Sequence, residues 1–309
     1  MSVEIAPSLD KKVDVKHHQT ESPWRSAIRR FARNRLAVSG LIILILMFSI
    51  CFIGPLFSPY ALYDYDISKK NLAPSAAHWL GTDKLGRDTL LRVMLAGRIS
   101  LTVGLVATGI SVIIGATLGA VAGYYRRGVD TFVMRFADII MALPSLPILI
   151  ILGAILSDLK VDSSDRIYFL MLLIGILGWT GLARLVRGQI LTLREMEFMQ
   201  ATDALGLRDQ RKIFRHLMPN VIPIIIVSAT LGVAGAILYE SALSYLGIGV
   251  VPPTPSWGNM ISAANNMIDF RKRPWLWVPP GFCILITVTA INLIGDGLRD
   301  ALDPKMKNR

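Results

Sequence analysis

The residue types that usually carry catalysis or bind metals are not grouped in this chain. The sequence has no Gly-Lys dipeptide, so the phosphate-binding pattern GxxxxGK[ST] is absent. It also lacks HExxH, GxSxG and paired cysteine ligands, which argues against a hydrolase. Cys51 and Cys283 lie inside apolar blocks and are predicted to be small core residues. We therefore predict no catalytic residue and no metal site, and expect the chain to move a solute.

Residues 194–220 form a charge-rich stretch between two long apolar blocks. Gly206 has the position of a left-handed residue that ends one helix, and Asp209 is predicted to cap a second one. Pro219 is predicted to end the unit and to start the fifth span. Such a pair of short amphipathic helices either lies in the lipid interface or inserts into a partner protein, and its polarity favours the partner. Apolar residues recur at helical spacing in both parts: Phe198, Met199, Ala201, Leu205, Ile213, Phe214 and Leu217.

Few ionisable residues lie in or beside the apolar blocks; the clearest are Asp138, Glu240 and Asp296. A charge in hydrocarbon is costly, so Glu240 is predicted to be a structural partner of a nearby donor rather than a substrate ligand. Asp296, with Arg299 and Asp300, is predicted to form a charge network at a helix end. An ion-driven carrier needs several intramembrane ionisable groups, and their scarcity disfavours that class.

A second polar segment ends in residues 78–88. Thr82 or Asp83 is predicted to cap the following helix, and the same segment is an equally good candidate for contact with an extracytoplasmic protein. Trp257 and Trp275, in and after another polar segment, are predicted to be aromatic residues of the membrane interface. The residues assigned to this contact or to a structural role are Gly81, Thr82, Asp83, Arg87, Asp88 and Trp257.

The composition is that of a membrane protein. The mean hydropathy is +0.51, with 53% hydrophobic and only 18% charged residues among 309. The net charge of +11 comes from basic residues beside apolar blocks, which indicates contact with membrane lipid and argues against nucleic acid.

The apolar blocks are long enough to cross about 30 Å of hydrocarbon as helices. The predicted organisation is a tail and interfacial amphipathic helix (1–35), a first span (36–57), an extracytoplasmic segment (58–95) and a core of five spans (96–305). Within the core, Pro144 and Pro147 interrupt the third span, and Gly115, Gly119 and Gly123 form a smooth face for helix packing. Another extracytoplasmic segment covers 250–273. The six predicted spans are Leu36–Phe57, Leu101–Gly123, Phe136–Leu156, Ile167–Ala183, Leu217–Gly249 and Trp275–Gly295.

The distribution of basic residues predicts the orientation. With six spans both termini lie on one side, and that side carries 22 of the 33 lysines and arginines. By the positive-inside rule this side is cytoplasmic. Residues 194–220 are then cytoplasmic, and segments 58–95 and 250–273 face outward.

The sequence resembles the permease subunits of ATP-binding-cassette importers. Gln200-Ala-Thr, Gly206 and Pro219 resemble the EAA motif, whose family pattern is Glu-Ala-Ala-x-x-x-Gly with a downstream Leu-Pro. Eight further motifs resemble the C subunit of the dipeptide/oligopeptide branch, and together the matches cover about residues 23–305. They are Gly-Thr-Asp-Lys-Leu-Gly-Arg-Asp at 81–88, Arg-Ile-Ser at 98–100, Met-Arg-x-x-Asp at 134–138, Ala-Arg-Leu-Val-Arg-Gly-Gln at 183–189, Arg-His-Leu-Met-Pro-Asn at 215–220, Leu-Ser-Tyr-Leu-Gly-Ile-Gly at 243–249, Ser-Trp-Gly at 256–258 and Gly-Asp-Gly-Leu-Arg-Asp-Ala-Leu-Asp-Pro at 295–304.

The resemblance implies an all-α integral membrane protein with the type I importer (MetI-like) permease fold and a cytoplasmic EAA coupling helix. It implies four partners: a second permease subunit in a heterodimer, two cytoplasmic ATPase subunits that hold ATP and Mg²⁺, and an extracytoplasmic peptide-binding protein. By this reading the chain holds no cofactor and is no enzyme. The residues expected to couple to the ATPase are Gln200, Ala201, Thr202, Asp203, Gly206, Leu207, Arg208, Asp209 and Pro219.

The chain departs from the family pattern at several positions. Gln200 stands where Glu is usual, Thr202 where Ala is usual, and Arg126-Arg127 replace a glycine pair in the turn after the second span. Leu207 and Arg208 also differ, where a small residue and Ser are common. The differences at Gln200, Thr202, Leu207 and Arg208 bear on which ATPase subunit fits. The arginine pair is expected to stiffen the turn after the second span.

We therefore predict the permease subunit of an ATP-driven importer of dipeptides or oligopeptides, working by alternating access in the bacterial cytoplasmic membrane. Alternative substrates are nickel chelates, glutathione or other small solutes. The alternative function is a stand-alone secondary carrier or channel, which would transport without partner chains.

Overall fold

The computed structural model describes residues 23–302, and this part of the chain is helical without a β-strand. The predictions for residues 1–22 and for the end of the core at 305 lie outside the described residues. Short 3₁₀ turns connect several of the helices. The helices are α1 (Pro23–Arg33), α2 (Arg35–Phe52), α3 (Thr89–Tyr125), α4 (Arg127–Ala142), α5 (Ser145–Asp158), α6 (Ser163–Arg194), α7 (Glu197–Ala204), α8 (Asp209–Arg211), α9 (Met218–Tyr245), α10 (Trp257–Ile261), α11 (Met267–Lys272) and α12 (Val278–Leu302).

Five helices are long and apolar enough to cross a membrane: α2, α3, α6, α9 and α12. A sixth candidate is the pair α4 and α5, which passes the same test only as two helices bent by 81°. The all-α membrane fold is confirmed, with five candidate spans and the bent pair α4–α5 as the candidate for a sixth.

The predicted interruption of the third span, Phe136–Leu156, is confirmed, because the chain bends at Pro144. Leu143 has extended backbone angles, as a residue before proline prefers, and Pro144 stands at the cap position of α5. Pro147 falls in the first turn of α5, where its missing N–H removes no helical hydrogen bond. The two prolines therefore end one helix and start another.

The other predicted spans differ from the helices mainly at their ends. In the first span, α2 ends at Phe52, and Pro55 lies in a short 3₁₀ turn, Gly54–Phe57. In the second span, α3 begins at Thr89 rather than Leu101, because Asp88 caps it. In the fourth span, α6 continues past Ala183 to Arg194. The fifth ends at Tyr245 rather than Gly249, and the sixth runs from Val278 to Leu302 rather than from Trp275 to Gly295. The helix of the sixth span therefore continues beyond the predicted end at Gly295 as far as Leu302.

The glycine face of α3 packs closely against α6. A Cβ atom on Gly115, Gly119 or Gly123 would lie 2.5–2.9 Å from a carbonyl oxygen of α6, those of Trp179, Ala183 and Arg187 respectively. Both sets of residues recur every fourth position, so the two backbones run side by side over two helical turns. The predicted small-residue face is confirmed.

The helices define two ends of the molecule. The 194–217 end carries α1, the turn at Arg126, residues 194–217 and the end of α12. The 54–88 end carries residues 54–88, the link 159–162 and the segment 246–277. At the first end, α1 contacts α12, and the side chain of Asn34 caps α2 by accepting from the N–H groups of Leu36 and Ala37.

Candidate functional site

The 194–217 segment contains a helix that ends in a Schellman motif at Gly206. Gly206 has φ +64°, and its N–H donates to the carbonyl of Asp203 at 3.0 Å. The N–H of Leu207 donates to the carbonyl of Thr202 at 3.2 Å. These two bonds define the motif, in which glycine takes the left-handed position at least cost. The predicted glycine turn between α7 and a second helix is confirmed.

The second helix is not a separate unit. From Asp209 the chain continues through one π-helical stretch, Lys212–Leu217, into α9, so that residues 209–245 form one long helix. Pro219 lies in the first turn of α9, at the predicted start of the fifth span, but it does not separate that span from the preceding helical stretch. The Gly206 turn therefore leads directly into the helix of the fifth candidate span.

The predicted cap at Asp209 is wrong. The residue at the cap position is Arg208, and no side chain caps the helix. Asp209 instead accepts a hydrogen bond of 2.7 Å from the hydroxyl of Tyr124, at the end of α3. This bond ties the start of the long helix to the neighbouring span.

Ionic and aromatic contacts of residues outside the predicted set hold the segment against the bundle. Lys212, a buried residue, places its Nζ 2.6 Å from a carboxylate oxygen of Asp203 and 3.9 Å from one of Asp209. The guanidinium of Arg194 lies over the ring of Tyr124, 5.2 Å from its centroid, and donates to the Tyr124 carbonyl. Arg126 is paired with Glu195. The segment is thus connected to the ends of α3 and α6.

The inward face of the segment is apolar and differs from the predicted one. Met199, Ile213 and Leu217 are buried in a cluster with Val186 and Ile190 of α6. Leu205 is instead 76% exposed and Phe214 57% exposed, and Phe198 and Ala201 also face outward. These outward-facing apolar side chains are available for contact with another molecule or with lipid.

Seven of the nine predicted coupling residues are exposed. Thr202 is buried and its hydroxyl donates to the carbonyl of Met199 at 2.7 Å, a bond within α7. Leu207 is half-buried. The exposed members of the predicted set are Gln200, Ala201, Asp203, Gly206, Arg208, Asp209 and Pro219.

At the opposite end, residues 81–88 form a tight turn that is mostly buried. Asp83 lies 2.7 Å from Nη2 of Arg87, is also paired with Arg92, and accepts from the backbone N–H groups of Leu85 and Arg87. Burial works to raise the pKa of Asp83, but Arg92 and Arg87 outweigh it, so this pKa lies below its ordinary value.

The predicted helix cap at Thr82 or Asp83 is wrong. The cap is Asp88, which accepts from the N–H of Leu91 at 2.8 Å and also lies 2.9 Å from Nδ1 of His78. Thr82, fully buried, accepts from the N–H of Leu72, and Gly81 has φ +64°. Gly81, Thr82, Asp83, Arg87 and Asp88 therefore have structural partners within this chain.

Glu240 is the centre of a buried hydrogen-bond network. Its side chain is 0% exposed and accepts from the hydroxyls of Ser100 and Ser244, both at 2.7 Å. Ser100 in turn accepts from the N–H of Trp257 at 3.3 Å, and Ser244 from the N–H of Val250 at 2.9 Å. The network fixes both ends of segment 250–257, so the predicted structural role of Glu240 agrees with its contacts.

Trp257 is not an interface aromatic residue as predicted. It is fully buried, and its indole N–H donates to the carbonyl of Val93 on α3 at 3.0 Å. Trp275 is half-buried, with its indole nitrogen 3.4 Å from the Thr82 carbonyl. Of these contacts, only the one between Ser244 and Glu240 could be expected from the sequence, because residues four apart are neighbours on a helix. Ser100 and Val93 are remote in sequence from Glu240 and Trp257.

The two remaining acidic residues differ from Glu240. Asp138 is paired with Arg184 at 2.6 Å, with both side chains about half exposed. Asp296, Arg299 and Asp300 are all exposed, and among residues 23–302 no ion pair joins Arg299 to either aspartate, so the predicted network is not formed within the described chain.

Comparison with known proteins gives two family matches. Residues 115–308 match the binding-protein-dependent transport system inner membrane component, and residues 22–74 match the N-terminal transmembrane domain of oligopeptide transport permease C. The chain is 42% identical to the dipeptide transport system permease protein DppC of Alkalihalophilus pseudofirmus, over 93% of this chain and 91% of the relative. It is 39% identical to the oligopeptide transport system permease protein OppC of Bacillus subtilis, over the same shares. It is also 35% identical to the glutathione transport system permease protein GsiD of Pectobacterium atrosepticum, over 95% of each.

Proposed function

The chain belongs to the inner-membrane components of binding-protein-dependent transport systems, and we propose that it is the subunit through which an ATP-driven importer moves dipeptides or oligopeptides into the cell. A similar permease subunit completes the membrane pathway. Two ATPase subunits supply the energy from ATP and Mg²⁺, and a binding protein delivers the peptide. The chain itself performs no hydrolysis and holds no cofactor.

The observation that carries the coupling role is the exposed surface of the 194–217 segment. Leu205 and Phe214 are exposed on the same segment as the exposed charged residues Asp203 and Arg208. Exposed apolar side chains together with charged ones are the composition of a protein interface. The ATPase is the fitting partner, because a transporter of this family draws its energy from a separate subunit.

The continuous helix from Asp209 to Tyr245 suggests how the motion is transmitted. When ATP binding closes the ATPase pair, a docked segment is displaced as a lever, and the long helix moves with it. The bonds from Asp209 to Tyr124 and from Arg194 to Tyr124 carry the same displacement to α3. The expected result is a switch between inward-open and outward-open arrangements of the spans.

The orientation follows from the distribution of basic residues. The 194–217 end is assigned to the cytoplasm and the 54–88 end to the outside, with both termini cytoplasmic. At the outer end Trp79 and Leu85 are exposed next to the buried turn 81–88, and these side chains are the ones we assign to contact with the binding protein.

Peptides are the substrate that the relatives support. Two carry dipeptide or oligopeptide transport in their names, and the third names glutathione, which is itself a small peptide. Nickel chelates and other small solutes are the competing outcomes of a transport assay.

The test is a charge placed in the exposed apolar surface. Leu205→Arg should weaken association with the ATPase subunits by about 30-fold or more, since central interface residues are worth roughly 2 kcal/mol or more. Uptake of a labelled tripeptide by proteoliposomes should fall with it. The matched control is Leu159→Arg, which charges a leucine that is 69% exposed at the opposite end.

Co-purification of the ATPase and peptide uptake are measured for both variants. Equal association of the two variants would contradict docking at Leu205. Ion-driven uptake by vesicles that contain this chain alone would replace the proposal with the stand-alone carrier.

A further inference from the structure

Helix α1 is rich in arginine and contains no acidic residue. Asn34 alone separates it from α2, the first candidate membrane span, and α2 itself begins with Arg35. The basic side chains of α1 therefore lie where the chain enters the membrane. They are Arg25, Arg29, Arg30 and Arg33.

One face of α1 is packed against the helix bundle. Ala27 is buried, and Phe31, one turn further on, is half-buried. A Cβ atom on Gly297 of α12 would lie 3.3 Å from the ring of Phe31 and would overlap the side chain of Ala37 in α2. This apolar face of α1 is thus used for packing on protein, and any contact with lipid has to come from the rest of the helix surface.

The rest of that surface consists of two stripes. Trp24 and Ile28 lie one turn apart and are 49% and 68% exposed. Arg25, Arg29 and Arg33 recur every fourth residue, so they form one row, and all three are exposed. Like charges at this spacing repel one another, and an anion beside the row would relieve that repulsion.

The two stripes together fit a phospholipid better than a soluble anion. Among residues 23–302, Arg25 and Arg33 have no ion-pair partner. A guanidinium group has a planar set of donors that matches the oxygens of a phosphate group. A soluble phosphate or a nucleic acid would leave Trp24 and Ile28 in water, whereas a phospholipid also brings acyl chains, and tryptophan favours the headgroup level of a bilayer.

We propose that the outward face of α1 is a binding site for an anionic phospholipid, of the phosphatidylglycerol type, in the leaflet at the 194–217 end. The row of Arg25, Arg29 and Arg33 binds the headgroup phosphate, and Trp24 and Ile28 lie against the acyl chains. Binding of the lipid does not depend on which solute the protein transports.

The position of α1 connects this site to the transport helices. Gly297 brings α12 close to α1 and α2, and two residues earlier a Cβ atom on Gly295 would lie 2.6 Å from Leu231 of α9. The same helix, α9, continues from the 194–217 segment. A lipid that holds α1 in place therefore supports α12 behind α9, and under the proposed function peptide uptake should depend on the anionic lipid.

A lipid titration of the purified full-length protein tests the site directly. Phosphatidylglycerol is added to the protein in a neutral detergent and the Tm is followed, with phosphatidylcholine and inorganic phosphate as parallel probes. The test variant is Arg25→Gln with Arg33→Gln. The matched control is Arg271→Gln with Lys272→Gln, which removes two exposed charges at the opposite end.

We expect phosphatidylglycerol to raise the Tm of the unchanged protein and of the control at the same concentration. The test variant should bind it about 25-fold more weakly, because each basic residue near an anionic surface contributes about fivefold. Arg25→Lys with Arg33→Lys keeps both charges and should lose less affinity than the glutamine variant. Equal affinity of the glutamine variant and the unchanged protein would overturn the proposal, and so would an equal effect of phosphatidylcholine or of inorganic phosphate.

The consequence for transport is measured in vesicles of phosphatidylcholine, with and without one-third phosphatidylglycerol. Each variant is assembled with its permease and ATPase partners and the binding protein, and uptake of labelled trialanine is followed. The unchanged complex and the control should transport faster in the anionic vesicles, and the glutamine variant should lose this difference. An equal lipid dependence of all three would contradict the link from α1 to transport. Absence of trialanine uptake in every vesicle would instead contradict the proposed function, so the two failures are distinguishable.

Discussion

Two groups of polar residues, one near each end of the molecule, have opposite environments. In α9, near the 54–88 end, Glu240 is 0% exposed and accepts bonds from two serines that each hold the backbone of segment 250–257. At the 194–217 end, the side chain of Asp203 is 65% exposed and paired with Lys212, and Glu195 is similarly exposed. Satisfied buried networks fix a structure, whereas exposed ion pairs add little stability and can be exchanged for a partner's groups. The contrast suggests a rigid end and an end left available for docking.

The largest effect should come from removing the centre of the buried network. Glu240→Ala leaves the hydroxyls of Ser100 and Ser244 without their acceptor, and each such group costs about 1–3 kcal/mol. We expect a loss of about 3 kcal/mol or more, measured as a lower Tm of the purified protein. The matched variant is Glu195→Ala at the other end, where an exposed pair is worth at most about 1 kcal/mol.

Glu240→Gln sharpens this prediction, because the amide oxygen can still accept one of the two bonds. Its Tm should lie between those of the alanine variant and the unchanged protein. Similar Tm values for Glu240→Ala and Glu195→Ala would remove the contrast between the two ends.

The second effect is a pH dependence at the 54–88 end. The pKa of Asp83 lies below its ordinary value because Arg92 and Arg87 outweigh the effect of burial. A carboxyl with a depressed folded pKa contributes stability above its unfolded pKa of about 3.9, and loses it as the pH falls through the folded value. The contribution should therefore be constant from pH 7 to about pH 5 and disappear only below about pH 4.

Asp83→Asn measures this contribution. The variant should be less stable by about 1–3 kcal/mol at pH 7, and the difference from the unchanged protein should shrink only in strong acid. Asp269, whose pKa is also lowered by Lys84 and Arg273 against the effect of burial, is expected to behave in the same way. A difference that already shrinks between pH 7 and pH 5 would contradict the depressed pKa.

The sequence predicted those features that depend on neighbouring residues. The Gly206 turn was predictable because a Schellman motif requires only a helix and a glycine at the correct position. The small-residue face of α3 was predictable because it repeats every fourth residue. The bend at Pro144 was foreseen as an interruption, but its angle depends on what α5 packs against.

The errors fall where the partner is remote in sequence. Tyr124 and Asp209 are 85 residues apart, and Ser100 and Glu240 are 140 apart. Asp209 was assigned to a cap, and Trp257 to the membrane interface, because local spacing says nothing of contacts made across the bundle. For the same reason the helical spacing of Phe198, Met199, Ala201 and Leu205 could not show that Met199 alone of these four is buried.

The smallest expected effect on stability distinguishes backbone strain at Arg126 from the ion pair between Arg126 and Glu195 at the 194–217 end. Arg126 has φ +56° and ψ −164°, a conformation adopted almost only by glycine, and its side chain is paired with the exposed Glu195. Strain of about 1–3 kcal/mol should outweigh an exposed pair worth at most about 1 kcal/mol. Arg126→Gly is thus expected to raise the stability by about 1 kcal/mol, seen as a slightly higher Tm.

Gly206→Ala is the reverse substitution at the same end. Gly206 has φ +64° and open space around a Cβ atom, so alanine there adds backbone strain without a clash and should lower the stability by about 1 kcal/mol. A lower Tm for Gly206→Ala together with a higher Tm for Arg126→Gly would show that backbone strain determines both effects. A lower Tm for Arg126→Gly would mean that the pair with Glu195 outweighs the strain, and that this end is held more firmly than the other exposed pairs indicate.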